Sequence, residues 1–159
     1  HLIQDNYSTT WGSIELVKAA VALLKTALTT PPDKDNLIPQ KFLFASESCL
    51  PIVNPLIALE SLFTSQPGPE KSWLKASNRP NNGYSGQLQF DKMSLSLPKN
   101  GRWKADQWVM LTRTHACACQ QFIEESELDL ISLFKYTRAS DELFFPTLLS
   151  LLGELPIQE

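Results

Sequence analysis

Segments with helical periodicity alternate along this chain with short apolar runs. In residues 13–28, apolar side chains recur at 3.6-residue spacing behind Ser13, a good N-cap residue, and Glu15. Residues 41–45 and 107–111 are short apolar runs of the kind that form buried strands. Because strands that alternate with helices pack as layers, we predict an α/β chain with an incomplete sheet flanked by helices.

Four further helices are predicted from periodicity and from start and stop signals. They are residues 55–63, a segment capped by Thr112 or Thr114, residues 128–136 and residues 140–152, the last stopped by Gly153. Proline and glycine interrupt residues 65–101, where only residues 72–75 and 87–90 are candidates for short strands.

Length and charge restrict the class of protein. The 159 residues suit a single domain, and the 14 Lys and Arg against 17 Asp and Glu are scattered, so no basic nucleic-acid surface is predicted. No apolar run reaches the ~18 residues of a membrane span. The three cysteines Cys49, Cys117 and Cys119 leave their pairing open, and with two histidines they do not suggest a zinc site.

A pair of carboxylates at a predicted helix start contains the strongest catalytic candidate, Glu142, with Asp141 beside it to cap the helix or orient the site. Asp141 and Glu142 lead directly into an apolar helical segment, where the helix dipole favours the charged form and the backbone is held rigidly. A rigid, ionised carboxylate suits a general base. Acidic residues in a first turn are also ordinary helix starters, so position alone does not assign a role.

Aromatic and amide side chains lie near the second predicted strand. Gln107 and Trp108, with Trp103 just before them, could bind sugar hydroxyls and pack on the C–H face of a sugar ring. Ser46 and Glu47 follow the first predicted strand, at the strand end where open α/β sheets bind ligands. Core packing of the tryptophans and a solvated Glu47 are the ordinary alternatives.

Four segments carry a resemblance to a known family. Residues 11–13 read W-G-S, residues 46–51 read S-E-S-C-L-P, residues 103–116 read W-K-A-D-Q-W-V-M-L-T-R-T-H-A, and residues 141–149 read D-E-L-F-F-P-T-L-L. In this order they resemble the core-2/I-branching N-acetylglucosaminyltransferases, glycosyltransferase family 14. The family commonly has Gly-Ser where this chain has Ala105 and Asp106.

The resemblance implies a partial GT-A-like domain that transfers N-acetylglucosamine from UDP-N-acetylglucosamine to a glycan or glycoprotein with inversion. It implies Glu142 as the base, Asp141, Gln107, Trp108, Ser46 and Glu47 at the substrates, and no bound metal or other cofactor. It also implies a single-pass Golgi membrane protein acting in the lumen. On this interpretation, residues 1–159 are the central to C-terminal part of the catalytic domain, without its nucleotide-binding first portion and its later basic segment.

Two alternatives remain open. One is a xylosyltransferase or another sugar transferase of the same superfamily, because nothing in these residues fixes the donor sugar. The other is a non-catalytic carbohydrate-binding or scaffold domain with the same fold.

Overall fold

The computed structural model describes residues 6–31, 40–46, 48–64, 70–76, 97 and 101–155. The chain is α/β, as predicted, with helices around a small two-stranded sheet. In chain order the elements are α1 (Ile14–Leu28), β1 (Lys41–Leu43), α2 (Pro55–Phe63), β2 (Met110–Thr112), α3 (Arg113–Glu125), a 3-10 turn (Ser132–Phe134) and α4 (Ser140–Leu151). This architecture is consistent with part of a glycosyltransferase domain.

The two strands are antiparallel and shorter than predicted. Phe42 pairs with Leu111, and the N–H of Phe44 extends the ladder by donating to the carbonyl of Val109 at 3.1 Å. In an antiparallel pair the end of one strand lies beside the start of the other. The residues that leave β1 therefore lie beside those that enter β2.

Burial of the first strand differs from the prediction. Leu43 is 61 % exposed, so β1 is half-buried rather than buried on both faces. The predicted strand at residues 72–75 is reduced to a single bridge between Trp73 and Met110. The candidate strand at residues 87–90 lies outside the described residues.

Helix α4 is the centre of the core. It packs against α1 and α3, and nearly all of its side chains are buried, including Leu143, Phe144, Leu148 and Leu149. Its C-terminus is a Schellman cap: Gly153 has φ +81°, and the N–H of Glu154 donates to the carbonyl of Leu149 at 2.8 Å. The prediction that Gly153 ends this helix is confirmed.

The prediction of a helix at residues 128–136 is wrong. Only the 3-10 turn forms there, because side chains take over the local hydrogen bonds. Asp129 accepts the N–H of Ser132 at 3.2 Å, and the hydroxyls of Thr137 and Ser140 bond the carbonyl of Phe134. This bonding closes the turn instead of continuing a helix.

None of the helices in the described ranges is long and apolar enough to cross a lipid bilayer.

Candidate active site

The Trp-Gly segment that precedes α1 fixes the start of α4. Ala139 has a left-handed conformation, φ 54°, and turns the chain into the helix. Ser140 then donates its N–H to the carbonyl of Gly12 at 3.1 Å. A Cβ at Gly12 would lie 3.0 Å from the nitrogen of Ala139, so only glycine permits this approach without a shift. The carboxylates after Ala139 are thereby held at a fixed place.

Pro146 leaves one carbonyl of α4 without its helical donor. A proline has no N–H, so it cannot bond the carbonyl four residues earlier, which belongs to Glu142. Ala105 supplies the missing bond, donating its N–H to that carbonyl at 2.8 Å. The segment that carries Trp103 and Lys104 is joined to the helix at this point.

Thr147 makes a second connection between this segment and α4. Its hydroxyl accepts the N–H of Trp103 at 3.1 Å and donates to the carbonyl of the same residue at 3.2 Å. Thr147 is fully buried, and Trp103 is only 5 % exposed. Trp103 therefore belongs to the core and offers no open face to a sugar ring.

Glu142 is buried and ion-paired. Its Oε2 lies 3.0 Å from the Nζ of Lys104, which is itself 3.6 Å from Oδ1 of Asp106. The Lys104 side chain is 4 % exposed and that of Glu142 is 11 % exposed, whereas Asp106 lies at the surface. The structure therefore directs the Lys104 ammonium to Glu142.

Asp141, one residue earlier, faces a pocket of about 220 Å³. Its Oδ1 is buried and has no hydrogen-bond partner among the residues that the structure describes. Burial raises the pKa of Asp141 above its usual value, and the charge of Glu142 adds to this effect. Among those residues the pocket wall includes Asp141 and not Glu142, a difference between the two carboxylates that the sequence did not reveal.

Four of the five predicted substrate-binding residues line this one pocket: Ser46, Gln107, Trp108 and Asp141. The antiparallel pairing of β1 and β2 explains why, since Ser46 follows β1 and Gln107 and Trp108 precede β2. Trp108 is 49 % exposed, so part of its ring is open to a ligand. Glu47, the fifth, lies outside the described residues.

Helix α1 supplies the apolar wall of the pocket, which sequence reasoning did not anticipate. Leu16, Ala20 and Leu23 of this helix face Phe44 and Phe145, whose ring centroids are 4.9 Å apart. The 3.6-residue spacing of apolar side chains in α1 was visible in the sequence, but the partners against which they pack were not. The pocket is therefore mostly apolar, with its polar groups on the side formed by the strand ends and α4.

His115 is a structural residue in this fold. Its Nδ1 is 2.6 Å from the hydroxyl of Ser72, and its Nε2 is 3.1 Å from Oε2 of Glu154. Both ring nitrogens therefore connect α3 to neighbouring segments.

All three cysteines are free, with Cys119 buried and the other two exposed. Within the described ranges, no three His, Cys, Asp or Glu side chains come together as a metal site would require.

Comparison with known proteins identifies the family. The model of the family described as Core-2/I-Branching enzyme matches residues 1–158. No curated protein matches the chain, and no solved structure matches it. The four segments quoted from the sequence all lie within the matched range, and three of them meet at the start of α4. The chain belongs to the Core-2/I-Branching enzyme family, a family of glycosyltransferases.

Proposed function

We propose that this chain carries the sugar-binding side and the base of an inverting glycosyltransferase. The donor is UDP-N-acetylglucosamine, and the acceptor is a hydroxyl of a glycan or glycoprotein. The observation that supports a sugar at this site is that Ser46, Gln107, Trp108 and Asp141 share one pocket. Amide, hydroxyl and carboxylate groups beside an aromatic ring are the mixture that a sugar requires, with hydroxyls to bond and C–H faces to cover.

The size of the pocket favours one sugar ring. Its volume of about 220 Å³ is below the ~300–1,000 Å³ of sites that enclose drug-sized ligands. A complete nucleotide sugar would exceed that space. We therefore assign a single monosaccharide unit to the pocket, packed on the half-exposed ring of Trp108 and bonded by Gln107.

The apolar wall supports an acetamido sugar. The methyl of an N-acetyl group can pack on Leu16, Ala20 and Leu23, where a hydroxyl would lose its hydrogen bonds. The N–H of the same group can donate to Oδ1 of Asp141, a buried acceptor that otherwise remains unsatisfied within the described residues. This pair of contacts distinguishes N-acetylglucosamine from xylose, which has no acetamido group.

Glu142 is the proposed base; this role rests on the family resemblance, since the wall of the pocket includes the neighbouring Asp141 and not Glu142. In a single displacement, the acceptor oxygen bonds the anomeric carbon as the bond from that carbon to UDP breaks, and the electron pair leaves with the diphosphate. The acceptor proton passes to the Glu142 carboxylate, and the configuration at the anomeric carbon is inverted. The ion pair with Lys104 and the first turn of α4 hold that carboxylate in place.

The proposal includes no metal ion, since the family resemblance implies basic side chains that neutralise the leaving diphosphate. The same resemblance supports the Golgi lumen as the place of action, with the full-length protein held in the membrane by one span. The lack of a metal ion and the Golgi location are proposed for the whole protein and do not follow from the pocket.

The test compares the two carboxylates in the full-length protein. Glu142→Gln keeps the shape of the side chain and removes the proton acceptor, so kcat should fall by about 10²–10⁴-fold while acceptor binding, measured by calorimetry, is retained. Asp141→Asn should mainly raise the KM for the donor. If Asp141→Asn abolishes turnover and Glu142→Gln leaves it intact, the base is Asp141 and our assignment is wrong.

A second pair of variants tests the pocket. Trp108→Ala should raise KM by about tenfold, the loss of roughly 1.4 kcal/mol of ring contact. Trp11→Ala is the matched control, because Trp11 is 65 % exposed and packs beside Arg138 rather than on the pocket wall. Equal effects of the two variants would contradict the pocket assignment.

Donor screening separates the remaining alternatives. Faster turnover with UDP-xylose than with UDP-N-acetylglucosamine would identify a xylosyltransferase. Glycan binding without any turnover in the wild-type protein would identify a non-catalytic carbohydrate-binding domain.

A further inference from the structure

Lys104 is a buried cation whose position needs an explanation. Its side chain is 4 % exposed, and its Nζ lies 3.0 Å from Glu142 and 3.6 Å from Asp106. Removing an ammonium from water costs several kcal/mol, which nearby carboxylates offset only with good geometry. Filling space does not explain a lysine at this position, because an apolar side chain would fill the same space without the cost of desolvating a charge.

The backbone on both sides of Lys104 is attached to the helix that carries Glu142. Before it, Trp103 bonds the hydroxyl of Thr147 through both its N–H and its carbonyl. After it, Ala105 donates to the carbonyl of Glu142, the acceptor that Pro146 leaves open. The backbone of Lys104 is thus held at a fixed position relative to the first turn of α4.

Helix stability does not account for the ammonium. The N-terminus of a helix carries partial positive charge, so a cation near the first turn of α4 is electrostatically unfavourable for the helix. A buried ion pair can also often be replaced by apolar residues without loss of stability. What the ion pair does provide is a fixed direction for the Glu142 carboxylate.

We propose that Lys104 is a positioning residue that holds the Glu142 carboxylate in one orientation for proton acceptance. This inference rests on the proposed role of Glu142. Asp106, which stands where the family commonly has serine, lies on the exposed side of the ammonium, with its Oδ1 3.6 Å from the Nζ of Lys104. Lys104 acts through Glu142 and does not itself contact the substrate.

The experiment measures kcat, KM and thermal stability of Lys104→Met and Lys104→Arg in the full-length protein. Lys104→Met removes the charge at nearly constant length, so kcat should fall by about 100-fold, as expected for a misplaced catalytic group, with KM changed by less than about threefold. Lys104→Arg keeps a cation with a different shape, so its kcat should be intermediate, lower than wild type by about tenfold. Lys135→Met, which changes an exposed lysine beside Tyr136, is the matched control and should have no effect.

A double variant separates positioning from general damage. In the Glu142→Gln background, Lys104→Met should lower the residual rate no further, because the carboxylate that it positions is already absent. An equal loss in both backgrounds, or a kcat for Lys104→Met like that of Lys135→Met, would overturn the inference. If Lys104→Met does not fold, an unchanged kcat in folded Lys104→Arg would overturn it equally.

A measurement without turnover distinguishes this inference from the proposed function. With ¹³C-labelled glutamate carboxyls, the Glu142 signal, assigned by its loss in Glu142→Gln, should shift or broaden in Lys104→Arg and Lys104→Met. A wild-type protein that transfers no sugar contradicts the proposed function, whereas a Glu142 signal that stays the same in both lysine variants contradicts the positioning role.

Discussion

The N–H of Ala105 bonds the carbonyl that Pro146 leaves open in α4, at a distance of 2.8 Å. A proline inside a helix normally costs ~3 kcal/mol or more, partly because a hydrogen bond is lost. Here the freed carbonyl, that of Glu142, gains a donor from outside the helix. The break in the helical ladder thus becomes the attachment point of the segment that carries Lys104, and it lies beside the proposed base.

Thr147→Val should destabilise the protein by about 1–3 kcal/mol. The substitution preserves shape but leaves the buried N–H of Trp103 without the hydroxyl that it bonds at 3.1 Å. Urea unfolding measures the change. Ser150→Ala is the control on the same helix, because the buried Ser150 hydroxyl has no hydrogen-bond partner among the described residues, and its removal should change stability by less than ~0.5 kcal/mol. Equal changes in the free energy of unfolding of the two variants would show that the hydrogen bonds of Thr147 do not stabilise the protein.

Gly12→Ala should cost more stability than Gly153→Ala. Both glycines have positive φ, +68° and +81°, so alanine at either position is strained by ~1 kcal/mol. Only at Gly12 would the new Cβ meet backbone, 3.0 Å from the nitrogen of Ala139. We expect a total loss of about 2–3 kcal/mol at Gly12, measured by urea unfolding, together with a lower kcat because the start of α4 shifts. A Gly12→Ala variant no less stable than Gly153→Ala would contradict the close approach.

Asp141→Asn should stabilise the protein near neutral pH. Burial raises the pKa of Asp141, so between its unfolded value of 3.8 and the raised folded value the native state binds more protons. The free energy of unfolding therefore falls as pH rises through that window, and the penalty persists above it. The variant should melt higher than wild type at pH 7, with the difference shrinking as pH falls towards 3.8.

Asp129→Asn provides a control of opposite sign for that measurement. Hydrogen bonds from Ser132 lower the pKa of Asp129, so its carboxylate contributes stability above pH 3.8 that is lost as pH falls through the lowered folded value. The variant should melt slightly lower than wild type at pH 7. Differential scanning fluorimetry between pH 8 and pH 3.5 measures the melting temperatures of both variants and of the wild type. If both variants change the melting temperature in the same direction, the environment of Asp141 is not as the structure indicates.

Local signals in the sequence predicted most of the helices and the two strands of the sheet, but not how these strands pair. Periodicity and capping residues identify α1 and α3, and Gly153 marks the end of α4, because these signals lie within the element itself. The direction of pairing between β1 and β2 depends on residues some 70 positions apart, and no local pattern encodes it. The predicted helix at residues 128–136 failed because Asp129 bonds Ser132 locally.

The residues of the candidate site were likewise suggested by the sequence, whereas the contacts between distant segments were not. The residue types at Gln107 and Trp108 suggested sugar contacts, and the family resemblance added Ser46 and Asp141. The fold gathers all four at one pocket. The ion pair of Lys104 with Glu142 was not predictable from composition or periodicity, because it arises where two distant segments dock. Pro146 was a usable signal, since a proline four residues after Glu142 in a helix identifies a carbonyl that needs an outside donor.

The three thiols should react at very different rates. Burial raises the pKa of Cys119 to about 12, with a smaller contribution from the charge of Glu154, so its reactive thiolate is essentially absent at pH 8. Cys49 and Cys117 are exposed. Iodoacetamide at pH 8 followed by peptide mass spectrometry should modify these two in the native protein and Cys119 only after unfolding in urea. Cys117→Ser is the control, since it should remove one fast site and leave Cys119 protected. Rapid native labelling of Cys119, or a peptide that joins two cysteines, would show that the packing of α3 or the free state of the thiols differs from the structure.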